Sequence, residues 1–242
     1  MKVKDWLREE PFTLSLSSGF FGFFAHAGFL SVLEEEKILP KKITGSSAGA
    51  LIGGIWASGC STITIKELLF SIRRDDFFDP IGFGGYLRGD KYKKLLNDII
   101  PINRIEDCRV ELSISAYNLL KGKTEIFNSG DLLDAIYAST AVPFMFQPLY
   151  TKKGIFFDGG IKDRSSLEST STGERIFYHH LKSHSLWRRK NSKSLKIPKQ
   201  NNLITLAMDN LPRVTPYKLS KGKDAFYMAR ERTKEFLGQS LI

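Results

Sequence analysis

Cysteine is scarce. The chain has 242 residues and 2 cysteines, Cys60 and Cys108. They lie far apart and lack metal-site spacing, so neither a disulfide framework nor a structural zinc site is implied, and both thiols are expected to be reduced and buried. Long apolar runs are also missing: the two longest, 19–33 and 48–60, are interrupted by glycine and short for a membrane span. No apolar targeting stretch follows the charged first ten residues. No internal repeat is present. No Gly-x-Gly-x-x-Gly opens a helix, and no Lys-Ser or Lys-Thr pair follows a glycine loop, which sets aside a dinucleotide fingerprint and a phosphate-cradling P-loop. The basic stretch 182–199 contains one aromatic residue, Trp187, and no recognised nucleic-acid motif. It reads as a solvated loop or insert, and no specific nucleic-acid partner is expected.

Positive charge, by contrast, is plentiful. Lysine and arginine total 36 against 26 acidic residues, a formal net charge of +10. Such a surface suits anionic partners, phospholipid headgroups or nucleic acid, and does not choose between them. Length and a 42% hydrophobic content suffice for one large α/β domain spanning 1–242.

The chain is organised around Gly45-Ser46-Ser47-Ala48-Gly49. The β-branched pair Ile43-Thr44 precedes this block and a small-residue apolar run, 48–60, follows it, the order of a strand, a sharp turn and a helix. A serine on so tight a turn has its hydroxyl pushed out of the backbone, and Gly45 and Gly49 remove side chains that would clash there. The following helix aims its N-terminus at the site, where free N–H groups favour developing negative charge. A turn that merely packs a helix on a strand would read the same way.

Upstream, alternation over 12–17 predicts a strand. Ser18-Gly19-Phe20-Phe21-Gly22 then makes a glycine-punctuated loop, and 25–37 has helical spacing. The backbone N–H groups of Gly19, Phe20 and Gly22 are the candidate oxyanion hole, with an ordinary strand-to-helix turn as the alternative. Phe20, Phe21, Phe23, Phe24 and Phe29 crowd this loop as core or as the lining of an acyl pocket. Downstream, 64–71 and 91–99 read as helices. Between them, 73–90 interleaves aromatics, glycines and charges, a flap or a pinned surface loop. Strands are expected at 110–117, 124–127, 155–157, 175–179 and 203–208, and helices at 131–138 and 223–237. Asp158-Gly159-Gly160 stands at the end of the 155–157 strand, either a simple turn or a carboxylate presented at the strand tip.

The glycine loop with His26-Ala27-Gly28 behind it, Gly45-Ser46-Ser47-Ala48-Gly49, Ala138-Ser139-Thr140-Ala141-Val142-Pro143 and Asp158-Gly159-Gly160, in this order over roughly 12–164, resemble the patatin-like phospholipase family. The loop departs from the usual triple glycine followed by a basic residue, and looks closer to the Gly-Phe-Leu-Gly loop of the triglyceride-lipase branch. The resemblance implies a three-layer α/β/α fold with a mainly parallel central sheet. It also implies lipid acyl hydrolysis by a Ser47–Asp158 dyad with no catalytic histidine, metal or cofactor, on a lipid or membrane-surface substrate. Gly45, Gly49, Gly159 and Gly160 would support the motif. Separately, with neither a targeting stretch nor a membrane span, and with its basic charge, the chain reads as cytoplasmic and peripheral on membranes. A lipid-binding pseudoenzyme of the same fold is the alternative, as is a Ser-His-Asp esterase, whose chain order is available through Ser47, Asp158 and His179, His180 or His184. In that setting His26 packs or hydrogen-bonds at the start of the first helix.

Overall fold

The structure is a computed structural model and describes residues 1–80, 87–182 and 196–241. The helices are α1 (Val3–Glu9), α2 (Phe23–Glu35), α3 (Ala48–Ala57), α4 (Thr62–Ser71), α5 (Asp90–Ile99), α6 (Leu132–Thr140) and α7 (Lys221–Gly238). The strands are β1 (Thr13–Leu16), β2 (Lys42–Ser46), β3 (Glu111–Asn118), β4 (Lys123–Phe127), β5 (Leu149–Thr151), β6 (Gly154–Phe157), β7 (Ile176–Leu181) and β8 (Leu203–Met208). Together they form a mixed α/β fold with a central sheet flanked by helices.

Strands β8, β7, β1, β2 and β3 lie side by side and parallel, and β4 runs antiparallel along β3. The β5–β6 hairpin joins the sheet in a way that positions the site. Ile114 and Ser115 pair with β2 on one edge of β3 and with β4 on the other. Tyr117 and Asn118 pair with β4 and with β6. Strands β2 and β6 therefore share one edge of β3, end to end. The first stops at Ser46 opposite Ser115, and the second arrives from the other direction and stops at Phe157 opposite Tyr117. Only the level of Ala116 separates the two ends.

Register also explains the two sides of the sheet. Leu14, Ile43 and Leu112 stand in one row, Leu16, Gly45 and Ile114 in the next, and both rows face helices α2, α3 and α6. Added β-carbons at Gly53 and Gly54 would meet Ile43, Ile136 and Ile114, so these glycines let α3 lie against sheet and helix. The opposite row, Ser15, Thr44 and Ser113, is polar and buried. Its cover is the irregular segment 159–174, which supplies partners for two of the buried hydroxyls on this side: Ser15 Oγ donates to the Ser165 carbonyl at 2.6 Å, and Thr13 Oγ1 bonds Glu174, whereas Thr44 Oγ1 has no partner among the described residues.

Several element boundaries differ from expectation. Helix α1 has no counterpart among the elements expected from sequence; it buries Val3, Trp6 and Leu7 on one side. The three-residue β5 is too short to carry a period. Helix α6 runs on to Thr140, two residues past the expected end. Cys60 is buried as expected, but Cys108 is only half-buried because it follows a surface turn. Residues 81–86 of the expected flap and 183–195 of the basic stretch lie outside the described residues. Among the described residues no helix is long and apolar enough to cross a membrane.

Candidate active site

Ser47 occupies a turn that few side chains adopt, with φ 53° and ψ −116°. A non-glycine residue there costs on the order of 1–3 kcal/mol and persists only where its surroundings over-determine it. Three contacts do so. An added β-carbon on Gly49 would lie 2.1 Å from the Leu16 carbonyl oxygen, and one on Gly45 would lie 2.7 Å from the Ala50 backbone, so the turn closes only with glycine on both sides. The Ser47 N–H donates to Ser139 Oγ at 2.9 Å, and that hydroxyl donates to the Ser115 carbonyl at 2.7 Å. Ser139 thus ties the turn to β3 from the end of α6.

The shared edge of β3 brings Asp158 to the same point. Ser47 Oγ donates to Asp158 Oδ2 at 2.5 Å, across 111 residues of sequence. Asp158 Oδ1 accepts the Gly160 N–H at 2.8 Å, and the Asp158 N–H donates to the Ala141 carbonyl at 3.0 Å. Gly159 is required as well, since its β-carbon would meet the Ser115 carbonyl at 2.1 Å. Both Ser47 and Asp158 are buried at less than a tenth of their full exposure. Ser139 and Ala141 of the 138–143 block, and Asp158, Gly159 and Gly160 of the 158–160 block, are therefore accounted for by geometry around this pair.

Of the glycine-loop residues, Gly22 donates its N–H to the Gly19 carbonyl at 2.9 Å, inside the turn that starts α2, which commits that donor. The N–H groups of Gly19 and Phe20 have no acceptor among the described residues, and both residues border the same cavity as Ser47. The loop is held from behind, where the Ser18 N–H donates to the Arg164 carbonyl at 2.8 Å.

That cavity has a volume of about 110 Å³. Apart from Ser47, Tyr92 and Thr140, its walls are apolar side chains and backbone, with Leu51, Leu68, Phe77 and Met145 among them. Phe20, Phe21 and Phe23 line it, whereas Phe24 and Phe29 are buried in the core, so the phenylalanine cluster divides between the two roles.

The histidines go elsewhere. His26 Nε2–H donates to the Ser17 carbonyl at 2.8 Å, an acceptor that fixes the tautomer. His26 Nδ1 is then left to accept from His179 Nδ1–H, also at 2.8 Å. His179 stacks on Phe29 with ring centroids 4.0 Å apart. Burial lowers the His26 pKa from 6.5 to about 4 and drives His179 well below its ordinary value. His180 Nδ1 meets the Tyr178 hydroxyl at 2.8 Å, and His184 lies outside the described residues. The partner of the Ser47 hydroxyl is a carboxylate. From sequence, Ser139 stands out only as the serine of the block before Pro143, His26 is expected to pack or hydrogen-bond, as it does, and His179 is a candidate base, whereas it pairs with His26; Arg164 has no local signal.

A model of the family described as "Patatin-like phospholipase" matches residues 14–170. An uncharacterized NTE family protein of Mycobacterium bovis is 33% identical over 162 residues, covering 62% of this chain and 42% of that one. A lysophospholipase of Neurospora crassa is 27% identical over 157 residues, covering 62% of this chain and 10% of that one. The chain thus spans less than half the length of these curated relatives. Among solved structures, VipD from Legionella pneumophila superposes with a TM-score of 0.69 at 16% identity, covering 94% of this chain and 67% of that one, a likeness of fold.

Proposed function

The chain belongs to the patatin-like phospholipase family, and from that premise we propose that it is a serine-dependent lipid acyl hydrolase that cleaves carboxylic ester bonds of phospholipids or related acyl lipids through a Ser47–Asp158 dyad. The observation that carries this reading is the 2.5 Å hydrogen bond from Ser47 Oγ, held on its strained turn, to the buried Asp158 carboxylate at the edge of an apolar cavity.

A serine hydroxyl is weakly nucleophilic until a base takes its proton. Asp158 Oδ2 receives that proton as Oγ attacks the ester carbonyl. The carbonyl oxygen becomes an oxyanion, which the Gly19 and Phe20 N–H groups stabilise; each such donor is worth roughly 10²–10³ in rate. Collapse of the tetrahedral species breaks the ester C–O bond, and the proton passes from Asp158 to the departing alcohol. Water then attacks the acyl-serine, Asp158 takes its proton, and the fatty acid leaves as Ser47 regains its hydrogen. The apolar cavity houses one acyl chain during these steps, and the net charge of +10 favours approach to anionic lipid surfaces.

The test is fatty-acid release from a panel of phospholipid, lysophospholipid and glyceride substrates without calcium, comparing wild type with Ser47→Ala and Asp158→Asn. Release that both substitutions abolish, with folded spectra retained, is expected. Release that survives Asp158→Asn overturns the dyad, and no release from any lipid overturns the enzyme.

A further inference from the structure

Two hairpin tips project past the end of the sheet that carries Ser47. The turn 119–122 joins β3 to β4, and the turn 152–153 joins β5 to β6. Register gives their height. Ser46 ends β2 opposite Ser115, and Leu119 stands four residues farther along the line of β3, about 13 Å beyond at the usual strand rise. The tips are built as one unit. Asn118, fully buried, donates from Nδ2 to the Lys153 carbonyl at 3.2 Å, and its Oδ1 accepts the N–H groups of Leu120 at 3.0 Å and Lys121 at 3.2 Å. Gly154 leaves the space for that side chain, since a β-carbon there would sit 2.4 Å from Asn118 Nδ2.

The double tip is both greasy and basic. Leu119 is 49% exposed and Leu120 69% exposed. Lys121, Lys123, Lys152 and Lys153 surround them, all exposed. The acidic groups nearby are Glu125, which pairs with Lys121 at 2.5 Å, and Glu168, which accepts from Thr124 Oγ1. Positive charge therefore exceeds negative at the tip. Two leucines held in water at the summit of a rigid hairpin do nothing for the core, and lysines around them do not suit a purely apolar partner.

We propose that this double hairpin is a docking prong for anionic lipid surfaces: Leu119 and Leu120 enter the headgroup–acyl boundary while the four lysines bind lipid phosphate and carboxylate groups. The occupant rests on the lipid-hydrolase reading and on this charge complementarity. Geometry fits the depth available. An interfacial segment sinks roughly 5–10 Å, so a prong that stands about 13 Å above the end of β2 brings the level of Ser47 close to the headgroup plane. A lipid then reaches the cavity by partial withdrawal from its leaflet, and Phe144, 76% exposed beside the cavity-lining Val142 and Met145, lies next to that route.

The experiment separates docking from catalysis by measuring them on different proteins. Binding is read by co-sedimentation of Ser47→Ala with vesicles of phosphatidylcholine alone and of phosphatidylcholine mixed with phosphatidylserine. Turnover is read with a water-soluble monomeric ester on proteins that keep Ser47. Ser47→Ala is expected to bind the mixed vesicles. Adding Leu119→Ser and Leu120→Ser lowers that affinity about tenfold or more. Changing the four lysines to glutamine instead removes the preference for mixed vesicles, at about fivefold per lysine near the surface. Both sets leave monomeric-ester turnover unchanged. Leu120→Trp, in the otherwise unaltered chain, gains a blue-shifted emission with mixed vesicles. Unchanged vesicle binding by the leucine and lysine variants overturns the proposal. So do loss of monomeric-ester turnover in step with vesicle binding, which marks the hairpin as structural, and absence of vesicle binding by Ser47→Ala, which hands the prong to a protein partner. If the wild type fails on every ester while Ser47→Ala binds through the prong, the hydrolase reading falls and the docking surface stands.

Discussion

Ser139→Ala removes one oxygen and tests how the Ser47 turn is held. Two buried groups lose their partner: the Ser47 N–H, 2.9 Å from Ser139 Oγ, and the Ser115 carbonyl, 2.7 Å from it. A buried polar group left unsatisfied costs roughly 1–3 kcal/mol, so the pair costs about 2–6 kcal/mol when no water enters. In a chain of this length 1 kcal/mol moves the melting temperature by about 2–4 °C, which predicts a fall of roughly 4–24 °C. The consequence for activity is separate. The Ser47 turn stores backbone strain, and without the hydroxyl the residue relaxes toward an ordinary conformation. A displacement of Oγ by about 1 Å costs on the order of 10²-fold in rate. That loss should fall on kcat, with KM little changed, because the cavity walls stay in place. Ser139→Thr keeps the hydroxyl and should recover most of kcat even where its extra methyl lowers the melting temperature. The assays are thermal unfolding by circular dichroism and initial rates on a monomeric ester below the unfolding range. An unchanged melting temperature together with an unchanged kcat would refute the reasoning, since it would mean that nothing depends on this anchor.

Gly49→Ala places a β-carbon 2.1 Å from the Leu16 carbonyl oxygen, where both groups are backbone, so it should destabilise by about 3 kcal/mol or more, while Gly238→Ala, with open space around it, should be neutral or slightly stabilising in a denaturant titration. Leu68→Trp fills the cavity wall and should lower kcat/KM for long-chain esters about tenfold or more relative to butyrate, read from a chain-length series. Acid should weaken the fold through the His26–His179 pair. Burial lowers the folded pKa of His26 from 6.5 to about 4, so below pH 6.5 the unfolded chain binds the proton and the folded chain does not until about pH 4. Stability is present above pH 6.5 and lost as pH falls toward 4, by roughly 2 kcal/mol between pH 7 and 5 for His26 alone. Asp163, raised by burial to about 6, works in the opposite sense below pH 6 but is one group against two. The double change His26→Gln and His179→Phe should flatten the dependence of denaturant midpoint on pH over this window, and a slope equal to that of wild type would remove the pair as its cause.

Much of this architecture is legible in the residues because local chemistry and global fold agree. Thr13 to Leu16 alternates, and β1 is there; Gly45 and Gly49 bracket a serine, and the turn closes only with those glycines. Asp158 could be read as a strand-tip carboxylate because Ile155 to Phe157 before it is so plainly apolar. What escaped reading depends on partners distant in the chain. The pairing of Tyr117 with Phe157, which aligns β6 with β2, has no local signature. The His26–His179 contact joins residues 153 positions apart, and a histidine in an apolar stretch looks the same whether it is a base or a buried strut. Helix α1 carries Val3, Trp6 and Leu7 at helical spacing, but over seven residues this apolar stripe is too short and too interspersed with charge to stand out as a helix.

The end-to-end meeting of β2 and β6 on one edge of β3 also fixes when the site can exist. Ser47 and Asp158 come within 2.5 Å only after β3 has paired with both strands, and contacts so distant in sequence form late because the intervening chain must first be ordered. Reactivity of Ser47 toward an electrophilic probe is thus a clock for refolding: it should start after helix and sheet signals have recovered, and its lag should lengthen when the Tyr117–Phe157 pairing is weakened.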